Sequence, residues 1–227
     1  YMIEDNGLRI GTLTSFRELE KSHLIQKNYT ALFEAARAVT SVQIKVMGTI
    51  GGNLCNASPG ADSAPPLIAF GGKVKLIEEN YVRVISLEEF FISRGETVLS
   101  PKELLTEIQV PKFSNQTGSA FLKMGRVSAD LAKINVAVVI IREEDICLDC
   151  RIVFGAVAKT PLRIRKSEEI LIGKRFEEGL VEKASHQVAN EVQPRSRRST
   201  AFYKKEVSKV MVRDAILLAW RRAEKGV

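Results

Sequence analysis

Met47-Gly-Thr-Ile-Gly-Gly-Asn-Leu-Cys-Asn-Ala-Ser-Pro-Gly-Ala-Asp-Ser-Ala-Pro-Pro66 is the stretch on which the fold turns. It is long, built of small residues and almost free of charge, so it reads as a loop rather than a helix or strand. Within it, Thr49-Ile-Gly-Gly-Asn53 sets two glycines side by side. Glycine takes positive φ at little cost and has no Cβ, so adjacent glycines can turn successive N–H groups toward one point and let a ligand come close. A concavity of that kind favours phosphate. Asn53, Asn56 and Ser58 add short side chains able to donate to oxygen. An ionised Asp62 only accepts, and suits a sugar hydroxyl. The order of these groups follows the parts of a nucleotide. No Gly-Lys-Ser/Thr follows, so the loop is not a P-loop, and G-x-G-x-x-G is absent, which excludes the Rossmann fingerprint.

Upstream, Asn6-Gly7 between two β-like runs predicts a hairpin. A chain that opens inside a sheet implies sequence before Tyr1. Ser15-Phe-Arg-Glu18 is a capping-box pattern, and Tyr29, Leu32, Phe33, Ala36 and Val39 recur at helical spacing, predicting one amphipathic helix over about 28–40. Downstream, Leu67 to Phe70 is apolar, Lys73 to Ile77 alternates as a strand, and Ser86-Leu-Glu-Glu89 is a second capping box. Ser100-Pro-Lys-Glu103 predicts a further helix start with proline at its first position, and Leu104 to Val110 a strand ending at Pro111. Residues 112–118 are polar and lack periodicity, which places a domain boundary there, between 1–112 and 113–227. Beyond it come three strands, Ser119–Met124, Ile134–Arg142 and Ile146–Ala158, then helices over about 177–191 and 200–224. The last carries Phe202, Val207, Val210, Met211, Ala215 and Leu218 as its expected buried face. Strands covered by helices make an α+β unit.

At 227 residues, with 45% hydrophobic and 27% charged side chains, the chain is ordinary globular material for two packing units. No run of eighteen apolar residues and no targeting segment is present, so the expectation is a soluble, cytoplasmic protein without a membrane span. Cys55, Cys147 and Cys150 are an odd number of thiols and too few for an iron–sulfur cluster. Cys147-x-x-Cys150 reads as part of a strand, where residues three apart point to opposite faces, so neither a zinc site nor a disulfide is expected. A net charge of +7 suits nucleic acid, an acidic protein surface or a phosphate-bearing ligand. Arg195-x-Arg197-Arg198 with Tyr203, Lys204 and Lys205 is the candidate nucleic-acid patch. Its aromatic interleaving is slight, and a solvated or subunit-facing surface is the simpler account. No Ser/His/Asp or Cys/His set stands out, and no catalytic residue is assigned.

The order Thr-Ile-Gly-Gly-Asn-Leu-Cys-Asn-Ala-Ser-Pro-x-Ala-Asp-x-Ala-Pro-Pro resembles the second FAD-binding motif of the flavin (medium) subunits of molybdenum hydroxylases, the family of xanthine dehydrogenase and aerobic carbon monoxide dehydrogenase. Leu8-Arg-Ile-Gly-x-Leu-Thr, Glu34-Ala-Ala-Arg-Ala-Val, Leu104-Leu-Thr-Glu-Ile-x-Val-Pro111, Phe121-x-Lys-x-x-Arg-x-x-x-Asp-Leu-Ala132 and Ser199-Thr-Ala-Phe-Tyr203 resemble family patterns in the same order, so the likeness covers the whole chain. It implies an α+β fold: the second part of an FAD-binding domain over 1–112, then a C-terminal α+β domain of a three-stranded sheet plus helices. It implies that Thr49, Ile50, Gly51, Gly52 and Asn53 hold the pyrophosphate of FAD, with Asn56 and Ser58 beside them. Asp62 would hold the adenosine ribose and Leu105 would pack near the flavin ring. Lys123, with Lys133 as its rival, would set positive charge at the ring's carbonyl edge. The resemblance further implies a large molybdopterin subunit, a small iron–sulfur subunit, and electron transfer through FAD to NAD or a quinone. The family's first FAD motif, an Ala-Gly-Gly-Thr-Asp-type loop, has no counterpart here. FAD binding is therefore expected to be incomplete unless a separate N-terminal fragment supplies that loop. The alternative is a truncated or split subunit that docks without flavin.

Overall fold

A computed structural model describes residues 2–4, 7–39, 41–127, 130–196 and 199–224, the side chains of 2–4 excepted. Strands β1 (Met2–Glu4) and β2 (Gly7–Gly11) form the expected antiparallel hairpin, with Ile3 opposite Leu8. Asn6 lies outside the described residues, and Gly7 holds φ +130°, a conformation that other residues resist. The first capping box forms in full: Ser15 Oγ accepts from the Glu18 amide (3.2 Å), and Glu18 Oε2 accepts from the Ser15 amide (2.7 Å), opening helix α1 (Phe16–Lys21).

The helix expected over 28–40 forms over a shorter span, as α3 (Thr30–Arg37), and a separate short helix, α2 (His23–Asn28), precedes it. The chain breaks at Tyr29, whose ring turns into the core and whose hydroxyl donates to the Pro111 carbonyl at 3.1 Å. After α4 (Val42–Met47) comes a larger correction. The stretch 47–66, read as a loop, contains α5 (Ile50–Cys55) and α6 (Ala64–Ala69). Prolines 65 and 66 fall in the first turn of α6, where their missing N–H groups leave nothing unpaired.

Strands β3 (Lys73–Glu78), β4 (Tyr81–Ser86) and β7 (Leu104–Pro111) join the hairpin in an antiparallel sheet ordered β1-β2-β7-β3-β4, while β5 (Phe91–Ser93) and β6 (Glu96–Thr97) pair by themselves. The box at Ser86 yields only a 3-10 turn, Leu87–Phe90. Ser100-Pro-Lys-Glu103 opens no helix. Glu103 does accept from the Ser100 amide (2.9 Å), but Arg83 also grips its carboxylate at 2.6 and 2.8 Å, and the chain enters β7 directly.

The second sheet contains the three expected strands, β8 (Thr117–Met124), β9 (Ile134–Glu143) and β10 (Ile146–Gly155). Two short strands flank β10, namely β11 (Leu162–Arg163) and β12 (Lys174–Arg175), with the unforeseen helix α7 (Arg165–Leu171) between them. Helices α8 (Glu178–Glu191) and α9 (Ala201–Glu224) close the chain. Strand β9 is buried on both faces, and its side chains alternate between two cores. Ile134, Val136, Val138 and Ile140 meet α9, whereas Ala137 and Val139, with Phe121 of β8 and Val153 of β10, join Leu32 and Phe70 in the core of the first half. A buried sheet therefore lies between α3 and α6 on one side and α8 and α9 on the other. The halves are also joined by Arg222, which holds Glu34 at 2.6 and 3.1 Å and donates to the Ser119 carbonyl at 2.7 Å.

The buried face of α9 matches expectation at Met211 and Ala215 and differs from it elsewhere. It comprises Lys204, Ser208, Met211, Val212, Ala215, Ile216, Ala219 and Ala223, while Phe202 is 75% and Val210 49% exposed. Proximity explains the choice: a Cβ on Gly118 of β8 would lie 2.0 Å from the Ala219 carbonyl oxygen and 2.4 Å from the Ala223 nitrogen. Only small residues fit so close an approach. The cysteines differ as well. A bulge between Cys147 and Asp149 changes the phase of β10, so Cys147 and Cys150 are both fully buried instead of pointing apart. Gly118→Ala is expected to cost about 1–3 kcal/mol by overpacking, read as a lower urea midpoint at unchanged slope.

Candidate functional site

Helix α5 begins where Thr49 accepts from the Gly52 amide through its hydroxyl at 3.1 Å. The Ile50 amide donates to the Thr14 carbonyl and the Gly51 amide to the Thr12 carbonyl, both at 2.9 Å, and the Asn53 amide returns to the Thr49 carbonyl at 3.0 Å. Neither Gly51 nor Gly52 has positive φ. The nest of converging bare amides expected here is thus replaced by a helical turn whose donors are already engaged. The two glycines have different reasons to be glycine. At Gly51 a Cβ would come within 2.5 Å of Thr12 Cβ, so the helix can pack on the turn after β2 only without a side chain. Gly52 is exposed, and a Cβ there would meet only the Thr49 hydroxyl.

The polar surface beyond α5 is made by side chains. Asn53 is half-buried, its Oδ1 accepting from Ser63 Oγ at 2.7 Å, which leaves Nδ2 as the donor end. Asn56 is exposed and Ser58 half-buried, while Ile50 is fully buried as a core residue of α5. Leu105 is buried in β7, on which α5 packs.

Asp62 and Lys123 meet. Lys123 Nζ donates to Asp62 Oδ2 at 2.6 Å and to the Ala38 carbonyl at 2.8 Å, and the two side chains are only 8% and 7% exposed. The two residues that the resemblance assigned to different parts of the cofactor, ribose and ring carbonyl, thus stand side by side in the fold. Lys123, not Lys133, is the lysine that reaches Asp62. Asn135 Nδ2 donates to Asp62 Oδ1 at 2.8 Å. Burial pushes the Asp62 carboxyl up, and the charge and hydrogen bond of Lys123, with the Asn135 amide, pull against it.

Beside this cluster a cleft of about 160 Å³ opens between the halves. The segment 58–60, the β5–β6 turn at Arg94, residues Leu131 and Ala132, the segment after β10 and the approach to α9 line it. Backbone ties fix the walls: the Ala156 amide donates to the Pro59 carbonyl at 2.6 Å and the Gly95 amide to the Ala57 carbonyl at 3.0 Å. Ala57 and Ala156 hold φ +42° and +63°, costly for alanine. Arg94, Lys159, Arg195 and Lys204 bring four cations, and among the described residues no carboxylate lines the cleft. Lys204 is buried with Nζ on the Ala156 carbonyl at 3.1 Å, so it is part of this wall and not of an exposed nucleic-acid patch. Arg197 and Arg198 of that patch lie outside the described residues.

A family model described as the FAD binding domain in molybdopterin dehydrogenase matches residues 2–113, and one for the CO dehydrogenase flavoprotein C-terminal domain matches 119–219. The carbon monoxide dehydrogenase medium chain of Hydrogenophaga pseudoflava is 31% identical over 220 residues, covering 96% of this chain and 77% of that protein. The chain belongs to the FAD-binding medium subunits of the molybdenum hydroxylases. The xanthine dehydrogenase FAD-binding subunit of Escherichia coli O157:H7 is 30% identical over 197 residues, 86% of this chain and 68% of that one. A solved carbon monoxide dehydrogenase from H. pseudoflava superposes with a TM-score of 0.93 at 32% identity, over 97% of this chain and 78% of that one. As a member of this family the chain is an oxidoreductase subunit with an FAD-binding domain. The residues present fit FAD through their side chains: amide and hydroxyl donors at 53, 56 and 58 and the cations of the cleft suit a diphosphate, while the engaged amides of 50–53 do not.

Asn135, Arg94 and Lys159 were not foreseen from the sequence, and Arg195 and Lys204 were singled out only as part of a nucleic-acid patch. Asn135 is the one polar residue in the apolar run Ile134–Ile141, a visible signal, whereas nothing in the sequence shows that positions 94, 159, 195 and 204 share one cleft. Gly51→Ala is expected to lower unfolding free energy by about 1–3 kcal/mol through overpacking. Gly52→Ala should stay within about 1 kcal/mol of wild type, since alanine favours a helix over glycine. Chemical denaturation of both variants checks the contrast.

Proposed function

We propose that the chain holds FAD against the α5–Asp62 surface and carries electrons from iron–sulfur clusters on a small partner subunit to an external acceptor. The complex would include a large molybdopterin subunit. Bound FAD supplies the redox chemistry; this chain's residues bind it, orient it and set the charge around it, with no side chain acting as acid, base or nucleophile. In this reading residues 1–112 are the FAD-binding portion and 113–227 the C-terminal domain. Thr49, Gly52, Asn53, Asn56 and Ser58 face the pyrophosphate, with Ile50 and Gly51 as the packed base of that turn. Asp62 and Lys123 meet one end of the cofactor, and Leu105 supports the floor. The observation that carries the proposal is the Asp62–Lys123 pair, which closes the two halves over the family's FAD motif beside a cleft lined by cations.

The external acceptor in this reading is NAD or a quinone. Among the described residues no helix is long and apolar enough to cross a membrane, and we place the complex in the cytoplasm. A second reading has support of its own. The engaged amides of 50–53 favour a subunit that docks without flavin, or one that binds it only with a separate N-terminal fragment.

Titrating the purified chain with FAD and following visible flavin absorbance separates these. Uptake is expected in wild type. Gly52→Phe should weaken it by about tenfold or more, equivalent to ~1.4 kcal/mol, with the denaturation midpoint little changed. Arg94→Glu with Lys159→Glu should weaken FAD uptake and flatten its salt dependence. Full flavin retention in Gly52→Phe contradicts the site, and no uptake by wild type supports the docking reading.

A further inference from the structure

Strand β9 aligns Asn135 between Lys123 on β8 and Gly155 on β10, so the three positions share one face of the sheet, the face that meets the first half of the chain. Asn135 is fully buried. Its Nδ2 donates to Asp62 Oδ1 at 2.8 Å and to the Ala61 carbonyl at 3.3 Å. Two acceptors on one side of the carboxamide fix which end is the NH2. The other end, Oδ1, has no hydrogen-bond partner among the described residues and lies over Gly155, where a Cβ would come within 2.1 Å of it. A buried acceptor left unpaired is costly, and a glycine in mid-sheet gives up packing. Both concessions serve the contact between Asn135 and Asp62.

We infer that Asn135 is a positioning residue of the flavin site: its carboxamide, given room by Gly155, locks the Asp62 carboxylate against Lys123 and so fixes the charge presented to the cofactor. The inference rests on the flavin reading above. With Lys123 on Oδ2 and Asn135 on Oδ1, both oxygens are tied from the second sheet, and Asp62 has one rotamer in which to meet a ligand hydroxyl. Without the amide only the lysine holds it, and Lys123 shares its ammonium with the Ala38 carbonyl.

Asn135→Leu keeps the side chain's branched shape and removes the unpaired oxygen, and so should fold; Asn135→Ala provides a second variant. Two quantities are measured on each, with Asp62→Asn as reference: the titration midpoint of the Asp62 carboxyl by carbon-13 NMR in the flavin-free chain, and the dissociation constant for FAD by quenching of flavin fluorescence. Lys123 is the charged group facing Asp62, and it is retained in both variants. Loss of the amide removes a contact that favours the carboxylate, so the midpoint should move upward. The FAD dissociation constant should rise about tenfold, toward that of Asp62→Asn. An unmoved midpoint overturns the proposal, as does a moved midpoint with unchanged FAD affinity. Wild type that takes up no FAD counts against the flavin reading instead, and is told apart because the midpoint reports the Asn135 contact with no flavin present.

Discussion

Lys123 and Asp62 form an ion pair taken out of water, and such pairs are tolerated only when geometry and extra hydrogen bonds offset the cost of desolvation. Here Lys123 has a carboxylate and a carbonyl, and Asp62 has an ammonium and an amide. Removing one partner would strand the other charge, at a cost of about 3–5 kcal/mol. The pair therefore constrains everything that brings it together: the end of α3, the segment after α5, and the matched register of β8 and β9. Arg222 and Glu34 tie α9 to α3 on the same interface. The halves behave as one body because charge and core cross between them together.

Close backbone approach is the second constraint, and it explains three glycines with different partners. Gly51 admits the turn after β2, Gly118 admits α9, and Gly155 admits the Asn135 carboxamide. None of these positions has positive φ, so conformational freedom is not the reason for any of them. In the Gly51-Gly52 pair, where positive φ is the sequence-based expectation, steric space accounts for Gly51 alone.

Local interactions were legible and long-range ones were not. The hairpin, the box at Ser15, and strands β3, β7, β8, β9 and β10 depend on turn chemistry, near neighbours and period-two patterning, all of which a sequence displays. The same box motif at Ser100 fails because Arg83, 20 residues away, competes for Glu103. The helix expected over 28–40 is present as α3 but starts only after Tyr29, whose buried side chain lies at the break from α2. The α9 face was read by side-chain size, whereas contact with Gly118 selects smallness. The motif itself was legible by resemblance, since the family model and the relatives cover it, but its physical basis was not.

That difference bears on how such a site meets a diphosphate. Backbone amides are fixed donors, and once helix α5 has formed they are engaged within the chain. Side-chain donors at 53, 56 and 58 and the cations of the cleft are held by tertiary contacts instead, so their placement depends on the two halves remaining docked. The walls of the cleft come from both halves, joined through the Ala156–Pro59 hydrogen bond, while the Lys204–Ala156 contact braces the wall of the second half. Affinity for an anionic ligand is therefore coupled to the interface between the halves. Alanine in a left-handed conformation at 156, in the wall, and at 57, just before the lining segment 58–60, indicates backbone strain retained to hold that geometry.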